Sequence, residues 1–254
     1  MSARPDEHPD PFAGYDATRP RPVGRPWLIA NMVAGLDGSL AWNGRVGALS
    51  SEADRSLFVR LRGLADAVLV GAGTVRAEGY GPVTLPEQRR AERVASGRPA
   101  VPPLVVVSRS LDLDWAAPLW DGSADPAPIV LTACSAPAAA QARAGEHAEV
   151  LVAGDASVDL ALALRLLAER GMATVLTEGG PTLLDELVGA GLLDELCLTL
   201  TPVFGGDPLT MAHRPAALAD LRSFTLDGVV RCDDEIFLRY LLRRDGAHHP
   251  RSDP

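Results

Sequence analysis

Short apolar runs alternate along this chain with stretches of helical periodicity. The apolar runs predict strands over residues 27–33, 67–71, 104–108, 129–131, 150–152, 174–177, 195–202 and 235–242. Helical spacing predicts helices over 51–63, 136–144, 158–169 and 182–189. In the stretch VDLALALRLLAE, Leu160, Ala163, Leu164 and Leu167 fall on one face, and Gly171 follows as a C-terminal cap. Ser50 or Ser51 suits the N-cap of the first helix. Strand–helix alternation of this kind predicts an α/β fold, with a mostly parallel central sheet and helices on both faces. No helical pattern separates the runs at 195–202 and 235–242, so these are expected to pair antiparallel at the C-terminal edge.

The two ends break the pattern. Residues 1–25 are rich in proline and arginine and carry no periodicity, which predicts a disordered extension, part of which could lie across the folded body. Residues 245–254 read as a similar tail. Between them, 26–244 is expected to form one domain. Hydrophobic residues make up 47% of the chain and charged residues 22%, an ordinary globular balance. The net charge of -9 argues against a general nucleic-acid binder. No apolar run reaches the ~18 residues of a membrane span, and the polar N-terminus lacks an export signal, so a cytoplasmic protein is expected. Cys134, Cys197 and Cys232 are far apart, and His8, His147, His213, His248 and His249 form no ligand cluster, so neither a metal site nor a disulfide framework is expected. Cys197 and Cys232 read as small core residues.

Ligands of open α/β sheets sit at the carboxyl ends of strands, so the residues following each strand hold the chemical interest. After 67–71 comes GAGTVRAEG, with Gly71, Gly73, Thr74, Arg76 and Glu78. After 104–107 comes Ser108-Arg109-Ser110, and after 174–177 comes Glu178-Gly179-Gly180-Pro181-Thr182-Leu183-Leu184. Glycines admit close backbone approach, helix N-terminal amides face an anion, and arginine adds charge, so these loops suit a phosphate-rich ligand. GAGTVR is not G-x-G-x-x-G, since Arg76 stands at the last position, and no phosphate-binding G-x-x-x-x-G-K motif is present. Alone, GAGT fits a tight turn as well as a cofactor site. Pro181 suits the first position of a helix. In LDG at 36–38, Asp37 fits a turn that bonds the backbone two residues on, or a carboxylate beside a substrate.

Taken together and in order, LDG at 36–38, LRGLADAVLVGAGTV at 61–75, VVVSR at 105–109, TEGGPTLL at 177–184 and LLDELCLTLTPVFGG at 192–206 resemble the pyrimidine reductases of riboflavin biosynthesis, the RibD C-terminal domain family. The resemblance spans about 27–242 and implies a dihydrofolate-reductase-like three-layer fold. It implies NADPH as hydride donor and reduction of the ribosyl group of a ribosylaminopyrimidine phosphate to a ribityl chain. Matched by position, Ala34, Thr74, Glu78, Ser108 and 180–184 are implied NADP contacts, with Gly71, Gly73 and Gly179 completing the glycine turns. Arg62 and Glu178 are implied substrate contacts. Arg109 is expected to clasp the 2′-phosphate that distinguishes NADP from NAD. A homodimer paired through 192–206 is also implied.

Opening of the ribosylamine ring leaves an imine-like acceptor whose nitrogen needs a proton, and a partly desolvated carboxylate at Glu178 or Asp37 would hold it. The substrate side departs from the family pattern. Asn31 stands where bifunctional members carry lysine, the residues before the first helix read RVGALSS, and EGYGPVTLPEQRR replaces a stretch bearing a phosphate-binding arginine, leaving Arg89 or Arg90 as stand-ins. No deaminase half is present. Reduction of a dihydropterin or dihydrofolate, and NADP binding without turnover, therefore remain alternatives.

Overall fold

The strand-forming runs assemble into one nine-stranded sheet among the described residues, which are 10–211 and 221–244 of a computed structural model. In chain order the elements are β1 (Trp27–Gly35), α1 (Glu52–Leu64), β2 (Ala67–Gly71), α2 (Ala72–Glu78), α3 (Glu87–Ala95), β3 (Leu104–Val107), β4 (Ile129–Thr132), α4 (Ala138–Gly145), β5 (Glu149–Val152), α5 (Leu160–Glu169), β6 (Thr174–Thr177), α6 (Pro181–Gly189), β7 (Glu195–Thr201), β8 (Phe224–Cys232) and β9 (Glu235–Leu242). The sheet order is β5-β4-β3-β2-β6-β1-β7-β9-β8. The first seven strands in this order run parallel, and β9 and β8 close the edge antiparallel, as expected.

Strand alternation sends neighbouring residues to opposite faces, and helices cover both. Leu28, Ala30, Leu69, Val105 and Val175 pack against Leu164 and Leu167 of α5 and Leu187 of α6. Ile29 and Leu176 point the other way, onto Leu57 and Leu61 of α1. Val68, Val70 and Val106 meet Val75 of α2 and Ala144 of α4 on that same side. Burying a leucine such as Leu164 contributes about 1.5–3 kcal/mol, which explains why the helical stripes were so legible. Ser51 caps α1 through its oxygen, which accepts the Asp54 amide at 3.0 Å, and Gly171 follows α5 with φ +82°.

Three elements escape the periodicity. α2 has only seven residues and follows a glycine turn directly. α3 is polar all round; its one buried residue is Arg93, whose guanidinium donates to the carbonyls of Gly63, Ala65 and Pro99 and so ties down the end of α1. β8 is an edge strand broken by a bulge between Leu226 and Gly228, so its alternation is confined to Gly228–Cys232, too short to mark it.

Disorder over 1–25 is corrected for residues 10–25, which lie as a strap across the sheet. Phe12 and Tyr15 are buried against Phe237, Leu57 and Leu61. Arg19 grips the buried Glu195 at 2.7 and 2.8 Å, and Arg25 grips the buried Asp194 at 2.6 and 2.8 Å. Low apolar content hid this because only two aromatic rings and a few arginine–carboxylate pairs do the anchoring. Residues 1–9, His213 and the tail 245–254 lie outside the described residues. Cys197 is fully buried, and burial raises its thiol pKa, as suits a core residue. Among the described residues no helix is long and apolar enough to cross a membrane.

Candidate active site

A cleft opens where neighbouring strands end at different heights. β6 stops at Thr177, two residues before Gly179, and its pairing with β1 ends at Ala30. β1 runs on to Gly35, so its residues Asn31, Met32 and Val33 border open space on the β6 side. The resulting cavity is about 630 Å³. Its walls are the glycine turns after β2 and β6, the connection between β1 and α1, and one face of α1.

The first wall is bare backbone. β2 and β6 are neighbours, so the two turns abut, and the Gly71 amide donates to the Gly179 carbonyl at 3.0 Å. A Cβ on Gly180 would lie 2.7 Å from Thr74 Oγ1, so only glycine fits between the turns. Gly179 has φ +94°, which also favours glycine. Pro181 is the first residue of α6, as its sequence position suggests. Gly71, Gly73, Thr74, Glu78, Gly180, Pro181, Thr182 and Leu183 all line the cleft.

An ion pair joins the second of these turns to α1. Glu178, whose side chain is 2% exposed, accepts Arg62 Nε at 2.6 Å and Nη2 at 2.8 Å. It also accepts the Tyr80 hydroxyl at 2.9 Å. Arg62 lies over the Phe58 ring, 4.1 Å from its centroid. Burial works against the guanidinium's charge, but Glu178 outweighs it and holds Arg62 above its ordinary pKa. Burial beside Glu178 pushes the Tyr80 phenol far above its ordinary value, so Tyr80 stays a donor. Both Glu178 oxygens are thus occupied by donors, and the carboxylate fixes the position of the Arg62 guanidinium.

The other expected residues fall elsewhere. Asp37 is exposed and lies outside the cleft lining. Its carboxylate accepts the Ser39 hydroxyl at 2.6 Å, the Ser39 amide at 3.1 Å and the Gly206 amide at 2.8 Å. These contacts, the Ser39 hydroxyl foremost, hold its pKa far below the usual carboxylate range. The turn reading of Asp37 is the one the geometry supports, and a proton-donor role is corrected. Ala34 and Ser108 are buried at the ends of β1 and β3, with Ser108 Oγ accepting the Leu111 amide. Leu184 faces the core and Arg109 is exposed after β3. Arg89 and Arg90 pair with Glu92 and Glu87 on α3, away from the cleft.

Sequence reasoning passed over several cleft residues: Ser50, Asp54, Arg55, Phe58 and Tyr80. A signal existed, because Asp54, Phe58 and Arg62 recur every four residues and so share one face of α1.

A family model described as the RibD C-terminal domain matches residues 26–238. A reductase of Archaeoglobus fulgidus, named for 2,5-diamino-6-ribosylamino-4(3H)-pyrimidinone 5′-phosphate, is 31% identical over 72% of this chain and 83% of its own. A reductase of the same name from Methanothermobacter thermautotrophicus is 32% identical over 72% of this chain and 80% of its own. The structure of a pyrimidine reductase-like protein from Corynebacterium diphtheriae superposes with a TM-score of 0.78 at 28% identity, covering 87% of this chain and 93% of that one. The matched stretch runs from just before β1 into β9 and holds every element that walls the cleft; the chain belongs to the RibD C-terminal domain family.

Proposed function

We propose that this chain is an NADPH-dependent reductase of a ribosylaminopyrimidine 5′-phosphate, converting ribosyl to ribityl in riboflavin biosynthesis. The observation that carries the reading is the meeting, in one cleft, of two glycine-bearing turns with the Arg62–Glu178–Tyr80 cluster. Gly71, Gly73, Thr74 and residues 180–183 would hold the dinucleotide, with α6 amides towards phosphate and Arg109 selecting the 2′-phosphate. A bound nicotinamide supplies the hydride. Arg62, fixed by Glu178, orients the substrate's polar groups, and Phe58 offers a flat surface to the heterocycle. Arg55, on α1 and in the cleft lining, takes the phosphate-binding part for which Arg89 and Arg90 are too remote.

Loss of reduced-nicotinamide absorbance tests this, with the diaminopyrimidinone phosphate, 5-amino-6-(5-phosphoribosylamino)uracil and dihydrofolate offered separately. Oxidation of NADPH with either ribosylaminopyrimidine, and little with NADH, is expected. Oxidation with dihydrofolate alone would replace the substrate assignment, and NADPH binding without any turnover would remove the enzymatic one.

The homodimer is proposed on a particular surface. Leu196, Leu198 and Leu200 of β7 stand in register with Tyr240, Leu238 and Ile236 of β9, and Leu226 and Val229 of β8 extend the rows. Paired residues share a face, so this is a continuous apolar surface, with Val229 56% exposed. Sedimentation should give a dimer for the native chain and a monomer for Val229→Glu. A monomeric native chain would refute the assignment.

A further inference from the structure

Two acceptors in the cleft lack donors. Among the described residues, Asp54 Oδ1 and Asn31 Oδ1 have no hydrogen-bond partner, although Asp54 is 4% and Asn31 9% exposed. Both residues line the cleft. A buried polar atom left unpaired costs about 1–3 kcal/mol, so such an atom in a binding cavity marks where a ligand supplies the missing partner. Asn31 has an amide that can present oxygen or nitrogen and so does not specify its partner. A carboxylate is more selective, because it only accepts.

The setting of Asp54 defines what it accepts. It lies in the first turn of α1, where Ser50 donates to Oδ2 and Oδ1 is left open. Each carboxylate oxygen has lone pairs to spare, so the group can receive two adjacent donors in a planar, two-point contact. Phe58, one turn on along the same face, also lines the cleft; Arg62 covers one face of its ring, so a flat heterocycle can stack only on the other.

We infer that Asp54 is a specificity-determining residue that reads the 2-amino-4-oxopyrimidine edge of the substrate, accepting from the ring N–H and the exocyclic amino group together. The inference rests on the proposed function and deepens it, since it selects the amino form of the pyrimidine over the deaminated one. Deamination replaces the amino donor with a carbonyl, which would set oxygen lone pairs against the carboxylate. The cleft would then act before deamination in the reaction sequence. The same edge occurs on reduced pterins, so the recognition chemistry is shared while the assay arms separate the two sources.

The test compares kcat/KM for the diaminopyrimidinone phosphate and its deaminated counterpart, in the native chain and in Asp54→Asn. The native chain should prefer the amino form by about 10- to 100-fold, the usual discrimination of a two-point contact. The side-chain amide of that variant would offer one donor and one acceptor, matching a carbonyl beside an N–H, so the ratio should fall to near or below unity. Equal losses with both substrates would show a merely structural role and overturn the inference, as would a native preference for the deaminated form. Should neither substrate turn over, the proposed function fails, and ligand-detected NMR still decides on Asp54. Contact with 2-aminopyrimidin-4-one in preference to uracil, abolished in Asp54→Asn, supports the inference, and indifference between the two probes sinks it.

Discussion

Glu178→Gln is expected to lower kcat/KM for the ribosylaminopyrimidine phosphate by about 100-fold, the usual cost of a misplaced orienting group. Its affinity for NADPH should barely change. The reason is local: both Glu178 oxygens hold Arg62, at 2.6 and 2.8 Å, and a glutamine would turn an N–H towards the guanidinium. Arg62 would then swing free of the Phe58 ring. Arg62→Ala should lose activity to a similar extent, and the double variant should be no worse than the worse single, because the two residues act as one unit. Arg62→Ala should also destabilise the fold by about 3–5 kcal/mol by stranding a buried carboxylate. Steady-state kinetics and fluorescence titration of NADPH separate the possibilities. If NADPH affinity falls in step with turnover, Glu178 belongs to the cofactor cradle instead.

The second large effect concerns stability and lies far from the cleft. Glu195 is fully buried and meets Arg19, Arg239 and the Trp27 indole N–H. Arg19→Ala should destabilise the chain by about 3 kcal/mol in urea unfolding, since Arg239 alone then compensates the buried charge. The pH dependence follows from the same cluster. Burial alone would raise the Glu195 pKa, but Arg19 and Arg239 overcome it, and the net shift is downward. A depressed folded-state pKa means that the unfolded chain binds the proton more readily. The contribution of Glu195 is thus complete above its ordinary value of about 4.3 and is lost as pH falls towards the folded-state value. Unfolding midpoints should drop on acidification below about pH 4 and flatten in Glu195→Gln, which is less stable at neutral pH. A Glu195→Gln chain with unchanged acid sensitivity would assign the loss to other carboxylates.

The sequence alone determined what depends on neighbours along the chain. Apolar runs and helical spacing marked most strands and helices, because a strand covered on both faces is apolar throughout and a helix with one buried face has a fixed period. Residues 178–184 announced a strand, a permissive turn and a helix start, because the left-handed Gly179 and the helix-starting Pro181 meet backbone requirements through their own residue types. Arg62, Glu178 and the glycine turns all reached the cleft as read.

What the sequence left undecided depended on partners remote in the chain. Asp37 could bond Ser39 two residues on by its local sequence, but its second oxygen is claimed by the remote Gly206 amide. Residues 10–25 look unstructured in isolation, yet Phe12, Tyr15 and Arg19 find partners near residues 195 and 237. α3 lacks periodicity because a single buried arginine holds it, and the bulge in β8 leaves too short an alternation to mark that edge strand. Asp54 reads as an ordinary helix-start carboxylate until the packing of α1 over the cleft buries it with one oxygen, Oδ1, lacking a donor. Burial and hydrogen-bond satisfaction are properties of assembled surfaces, so only the tertiary structure could decide them.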